Sequence, residues 1–185
     1  RAGWRYLSFE TLCVADEMTF DLGANEEAVL VTIAGGGIDA EIGGRSWRLE
    51  GRASAFAGLP WALYGPRAGH IRLSPRCLEG HPTVTVVIAR APRSERPDVA
   101  DTPILIGPGD VEIEVRGAGN ATRQITHIIK PDFPADRLLV VEVHTPSGNW
   151  SSWPPHKHDV DVMPDEAVLE ETYFYQLRRP EAWAI

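Results

Sequence analysis

Apolar residues in this chain fall into short runs and two-residue alternation, and nowhere into the sustained period of a long helix. Ala28–Ala34 (AVLVTIA) is a continuous apolar run ending at the triple glycine Gly35–Gly37, the pattern of a buried strand. Ile38–Ile42 alternates around Asp39 and Glu41, meets Gly43-Gly44 and resumes in Arg45–Leu49. That sequence predicts a β-hairpin. Trp61–Tyr64, His70–Leu73 and Thr83–Ile88 continue the series at the spacing of about 8–12 residues expected of sandwiches and barrels.

Ala91–Pro103 (APRSERPDVADTP) breaks the series, being polar, proline-rich and without an apolar period. It predicts a linker region over 92–110, between a barrel over 1–91 and a second unit over 111–185. Beyond it, Val111–Val115, Ile125–Ile129 and Leu138–Thr145 (LLVVEVHT) read as strands, with a turn at Gly117–Asn120. The expected class is all-β, two small barrels or sandwiches in tandem.

Composition narrows the function classes. With 43% hydrophobic and 24% charged residues the chain has an ordinary globular make-up. A net charge of −8 argues against nucleic acid as a partner, because phosphate binding needs clustered Lys and Arg. No apolar run reaches the ~20 residues of a membrane helix, and no secretory pattern opens the chain. Cys13 and Cys77 stand alone, without metal-like spacing, as in a reducing compartment. The expectation is a cytoplasmic protein with neither a membrane nor a nucleic-acid partner.

The chemistry concentrates in Gly148–Asp159 (GNWSSWPPHKHD). The histidines are entered through Pro154-Pro155, which fixes the chain in an extended conformation, and if that extension continues as a strand, residues two apart share a face. His156 and His158 then face one side together and Lys157 the other. Two imidazoles on one face make half of a metal site, and a carboxylate would complete a set that leaves positions open for substrate. The bland alternative is a surface strand carrying two unremarkable histidines.

Leu169–Tyr175 (LEETYFY) offers the carboxylate and reads as a neighbouring strand. Glu171, Tyr173 and Tyr175 share its more polar face, while Glu170, Thr172 and Phe174 share the other, so parity selects Glu171. Tyr173 and Tyr175 could orient a polyol, although barrel tyrosines are more often core residues. Arg116–Arg123 (RGAGNATR) lacks the spacing of a dinucleotide loop and reads as a turn, from which Arg123 could hold a substrate carboxylate. A surface ion pair is the plainer reading of Arg123. His127 is a further polar candidate, or a core histidine. His70, His81 and His144 have no partner at ligand spacing.

The strings TPSGNWSSWPPHKHD and LEETYFY, with RGAGNATR, LLVVEV and the opening GWRY, closely resemble the 5-deoxy-glucuronate isomerase family of bacterial myo-inositol catabolism. The resemblance covers essentially the whole chain. It implies a bicupin, two tandem jelly-roll barrels, with metal-binding histidines at His156 and His158 and the glutamate at Glu171. It implies a divalent ion (Zn, Mn, Fe or Ni) and an aldose–ketose isomerisation of a small sugar acid, 5-deoxy-D-glucuronate to 2-deoxy-5-keto-D-gluconate. Further strands and one more histidine ligand are expected after Ile185, leaving the second barrel incomplete in this chain. A homo-oligomer fits such proteins. The rival functions are an Fe(II) oxygenase, which uses the same ligand set, and a non-catalytic sugar-acid-binding cupin.

Overall fold

The computed structural model describes residues 3–184, apart from 24, 68, 95 and 97. Eight strands come first: β1 (Ser8–Val14), β2 (Met18–Asp21), β3 (Glu26–Ala34), β4 (Gly36–Ile42), β5 (Arg45–Arg52), β6 (Ala62–Gly65), β7 (His70–Cys77) and β8 (Val84–Pro92). They build two sheets, one containing β1-β8-β3-β6 and the other β2-β7-β4-β5, all antiparallel. Strands exchanged between two facing sheets in this way form a jelly roll. The protein is all-β, as the hydrophobic pattern predicts.

The predicted hairpin is β4–β5, and its two-residue turn needs the left-handed backbone that glycine supplies, with φ of 59° at Gly43 and 76° at Gly44. Inside the sandwich, Leu30, Leu63, Val86 and Ile88 of one sheet pack against Ile38, Leu49 and Leu73 of the other. The next residues along β3, Val29 and Val31, point the opposite way into a second core. Burial of both faces explains why β3 is a continuous apolar run rather than an alternating one.

A ninth strand, β9 (Ile104–Ile106), pairs with β6 and extends the first sheet. It lies within 92–110, the stretch expected as a linker, where Val99 is also buried. Glu95 and Pro97 of that stretch lie outside the described residues. The remaining strands, β10 (Glu112–Arg116), β11 (Arg123–Ile129) and β12 (Val140–His144), form a separate antiparallel sheet in that order. A single turn of 3₁₀ helix at Gly119–Ala121 occupies the predicted turn between β10 and β11.

The second core joins the two parts. Ile128, Ile129 and Leu138 cover the outer face of the first sheet against Val29, Val31 and Tyr64. Buried Arg52 reaches across to Glu142 of β12, with Nη1 donating at 2.9 Å, and also donates to the Gly58 carbonyl. Two carboxylates make a reciprocal connection. Glu27 of β3, fully buried, accepts hydrogen bonds from the backbone amides of Asp136, Arg137 and Leu138 at 2.7–2.8 Å, and from the Tyr64 hydroxyl at 2.7 Å. Glu170 accepts from the amides of Arg5, Tyr6 and Leu7 at 2.6–2.7 Å. Each carboxylate grips the three-residue lead-in to a strand of the other part: β12 for Glu27 and β1 for Glu170.

Candidate metal centre

The histidine stretch is moored to the 3₁₀ turn before it reaches the imidazoles. The Trp150 amide donates to the Asn120 carbonyl at 2.8 Å, and the Asn149 side chain donates to the Thr122 carbonyl at 2.8 Å. Trp150 and Trp153, both exposed, lie with ring centroids 5.7 Å apart, and the Trp153–Pro154 peptide is cis.

Neither His156–His158 nor Leu169–Tyr175 joins a ladder, contrary to the expectation of two neighbouring strands. A ladder needs a partner along its whole length, and the backbone contact between these segments is limited to Leu169 N–H to the His158 carbonyl at 3.4 Å. The extended backbone survives without the ladder, and so does its side-chain alternation. Residues 159–168 between the segments fold back on themselves. Glu166 closes this excursion by accepting from the amides of Asp159 (2.7 Å) and Val160 (3.0 Å) and from Lys157 Nζ (3.0 Å). Lys157 and those two amides hold the Glu166 carboxyl below the usual carboxylate range. Asp161 adds a bond from the Val168 amide at 2.8 Å. Lys157 is thereby turned away from its two histidine neighbours. None of these carboxylate roles is legible in the sequence, since a single Asp or Glu in a polar loop carries no spacing signal.

The fold-back brings His156, His158 and Glu171 together, with one potential ligand atom from each within 4.8 Å of the others. The two imidazoles meet edge to face at 5.0 Å between centroids, and His158 Nε2 is 4.0 Å from Glu171 Oε2. Ligands ~2.1 Å from one tetrahedral ion stand ~3.4 Å from each other, so side-chain rotations that draw the set in by up to about 1.4 Å would close it around a metal. The protonation pattern also suits a metal. His158 Nδ1 lies 3.3 Å from the Ala167 carbonyl, which can only accept. A neutral ring donating from Nδ1 to that carbonyl would present its Nε2 lone pair toward Glu171, an arrangement typical of ligating histidines.

Glu171 is oriented in the same manner. Its Oε1 accepts from the Tyr173 hydroxyl at 2.7 Å, leaving Oε2 toward His158. Partial burial, then the Glu171 carboxylate, raises the Tyr173 pKa, so the phenol stays protonated and donates. Tyr175 stacks on Tyr173 with centroids 6.0 Å apart and planes 16° from parallel. Glu170, one residue earlier, points the other way into the Arg5–Leu7 amides.

Among the described residues, Arg123 makes no hydrogen bond to this cluster. It is buried at the start of β11, and its Nη1 donates to the Ala121 carbonyl at 3.0 Å, while its Nε has no partner among the described residues. His127 Nε2 contacts Glu114 at 3.1 Å, and Glu114 also receives two bonds from Arg116 at 2.8 Å. Arg116 first, then His127, lowers the Glu114 pKa from the ordinary 4.5 to about 2. In the folded protein the Glu114 side-chain carboxyl carbon is expected to titrate by NMR near pH 2 rather than 4.5. The contribution of this carboxylate is complete above pH 4.5 and is lost as pH falls through about 2. A midpoint at about 4–5 would show that the Arg116 contact is absent in solution.

The KduI/IolB family matches the chain over residues 1–185. The 5-deoxy-glucuronate isomerase of Geobacillus kaustophilus is 35% identical over 177 residues, covering 95% of this chain and 61% of that protein. The enzyme of the same name from Geobacillus thermodenitrificans is 37% identical over 181 residues, covering 95% and 62% respectively. The crystal structure of an IolB-like protein from Salmonella typhimurium superposes with a TM-score of 0.78 at 29% identity, over 90% of this chain and 61% of that one. The chain thus spans about three fifths of the length of these relatives. Among the described residues, no helix is long and apolar enough to cross a membrane. With the family matched from end to end on a jelly roll, the chain belongs to the KduI/IolB family.

Proposed function

We propose that this chain carries the metal site of a divalent-metal-dependent aldose–ketose isomerase converting 5-deoxy-D-glucuronate to 2-deoxy-5-keto-D-gluconate. The observation that carries the reading is the convergence of His156, His158 and Glu171, with His158 Nδ1 and the Glu171 carboxylate each engaged by a neighbour. Two relatives that share the family and cover most of this chain are named for the reaction.

In this reading His156 Nε2 or Nδ1, His158 Nε2 and Glu171 Oε2 hold the ion. Bound there, a divalent metal supplies Lewis acidity toward the oxygens on which negative charge gathers during an enediol-type isomerisation. Isomerisation removes the proton from the carbon beside the aldehyde and returns one to the former aldehyde carbon. Tyr173, kept protonated, suits donation to a substrate oxygen rather than proton abstraction. The Tyr173–Tyr175 pair offers two hydroxyls to a polyol. Arg123 is the candidate cation for the substrate carboxylate, which its guanidinium would reach only on leaving its buried place beside the Ala121 carbonyl.

The same reading divides the chain into two cupin units, 1–91 and 111–185, joined through 92–110. The reciprocal clasps support it. Leu7 and Phe9 around β1 enter the second core much as Leu138 and Val140 do around β12. Glu27, Ala28 and Leu30 then correspond to Glu170, Glu171 and Tyr173. The N-terminal unit carries alanine and leucine where the C-terminal unit carries the glutamate and tyrosine.

Turnover is the test. The complete gene product, given 5-deoxy-D-glucuronate, is expected to form ketose, to stop after chelation and to recover with one divalent ion. Oxygen consumption without ketose would favour the oxygenase. Binding without turnover would favour a sensor.

A further inference from the structure

Glu170 and Phe174 lie on one face of the extended segment that carries Glu171 and Tyr173 on the other. Both are engaged by the start of the chain. Glu170 takes the amides of Arg5, Tyr6 and Leu7 at 2.6–2.7 Å, and the Phe174 ring packs on Phe9 with centroids 5.8 Å apart. No ladder holds this segment, and these two side chains attach it to the jelly roll. Alternation along extended backbone then transmits the attachment. With the Glu170 carboxylate fixed, the next side chain must leave on the histidine side.

We propose that Glu170 is a positioning residue for the metal site, and that docking of Arg5–Leu7 and binding of the ion are thermodynamically coupled. The inference rests on the metal-site reading above and adds the N-terminal segment to it. Three successive amides on one carboxylate form a charge-assisted set, and such outer contacts govern how well a ligand is presented. Coupling is reciprocal: whatever factor the clasp adds to metal affinity, the metal adds to the clasp.

The test titrates the complete gene product with Co(II), following its visible absorption, in the unaltered protein and in three variants. Glu170→Gln is expected to weaken Co(II) binding by about 10–100-fold, the range typical of lost outer-shell partners. Tyr6→Pro deletes the central amide donor without touching Glu170 and is expected to weaken binding in the same direction. Tyr6→Ala keeps the amide and removes only the ring stacked by Arg5 and Arg137, and is expected to bind within about twofold of the unaltered chain.

Amide hydrogen exchange provides a readout that a merely structural clasp would not move. Saturating Co(II) is expected to slow exchange at Arg5–Leu7 in the unaltered protein and to leave it unchanged in Glu170→Gln. Unaltered affinity in both Glu170→Gln and Tyr6→Pro, with exchange at Arg5–Leu7 indifferent to metal, would overturn the coupling while leaving the metal site standing. Failure of the unaltered complete gene product to bind Co(II) would overturn the metal site, and the coupling with it.

Discussion

Replacing Glu27 with alanine is expected to lower the unfolding free energy by about 3–5 kcal/mol, measured by denaturant unfolding. The carboxylate is fully buried, and four donors converge on it: the Tyr64 hydroxyl and the amides of Asp136, Arg137 and Leu138. Alanine would leave all four without an acceptor in the second core. Each unsatisfied donor costs about 1–3 kcal/mol, and partial hydration of the new space offsets some of the total. Glu27→Gln should fall between alanine and the native residue, because one of its two ends is a donor facing donors. Burial, then the bond to Glu27, raises the Tyr64 pKa, which keeps that phenol a donor across the neutral range. A loss below about 1 kcal/mol for Glu27→Ala would mean that water replaces the carboxylate without penalty and that the clasp does not stabilise the fold.

His158→Ala is expected to weaken divalent-metal binding by more than about 100-fold, beyond the range for outer-shell residues. Of the two histidines it is the more buried and the better oriented, with Nδ1 on the Ala167 carbonyl and Nε2 toward Glu171. Lys157→Ala serves as the contrast. Its ammonium pairs with Glu166 at 3.0 Å and Asp159 at 3.8 Å, on an exposed face away from the cluster. Exposed pairs contribute little, so metal affinity should stay within about threefold. Calorimetric titration of both variants with one divalent ion would decide the matter. Equal affinity in His158→Ala and the unaltered chain would remove His158 from the site.

Local features of the fold are the ones legible in the sequence. The β4–β5 hairpin announces itself through alternation around Gly43-Gly44, and β3 through an apolar run long enough to be buried on both faces. Three strands escape such a reading. The β1 pattern is interrupted by Glu10 and Thr11, β2 has only four residues, and β9 has three and exists because β6 offers it an edge. Such short elements are decided by their partners rather than by their own sequence.

The candidate site divides in the same way. Spacing of two places His156 and His158 together, and parity separates Glu171 from Glu170, because both depend only on extended backbone. The alternation holds even where no ladder forms. By contrast, nothing near Glu170 points to Arg5–Leu7, and nothing near Glu27 points to 136–138, because a carboxylate binding bare amides leaves no mark on the partner's side chains. Arg123, whose plainer reading was a surface ion pair, is instead buried and turned onto the Ala121 carbonyl.

The two clasps also impose a timetable on the chain as it leaves the ribosome. Glu27 must wait 109 residues for the Asp136 amide, and the Arg5 amide must wait 165 residues for Glu170. At roughly 5–20 residues per second the second delay is on the order of 8–33 seconds. All eight strands of the jelly roll precede Arg93, so its two sheets can close long before then. The amides of Arg5–Leu7 stay hydrated through that interval, so the lead-in to β1 is made before the rest of the jelly roll and fixed after it.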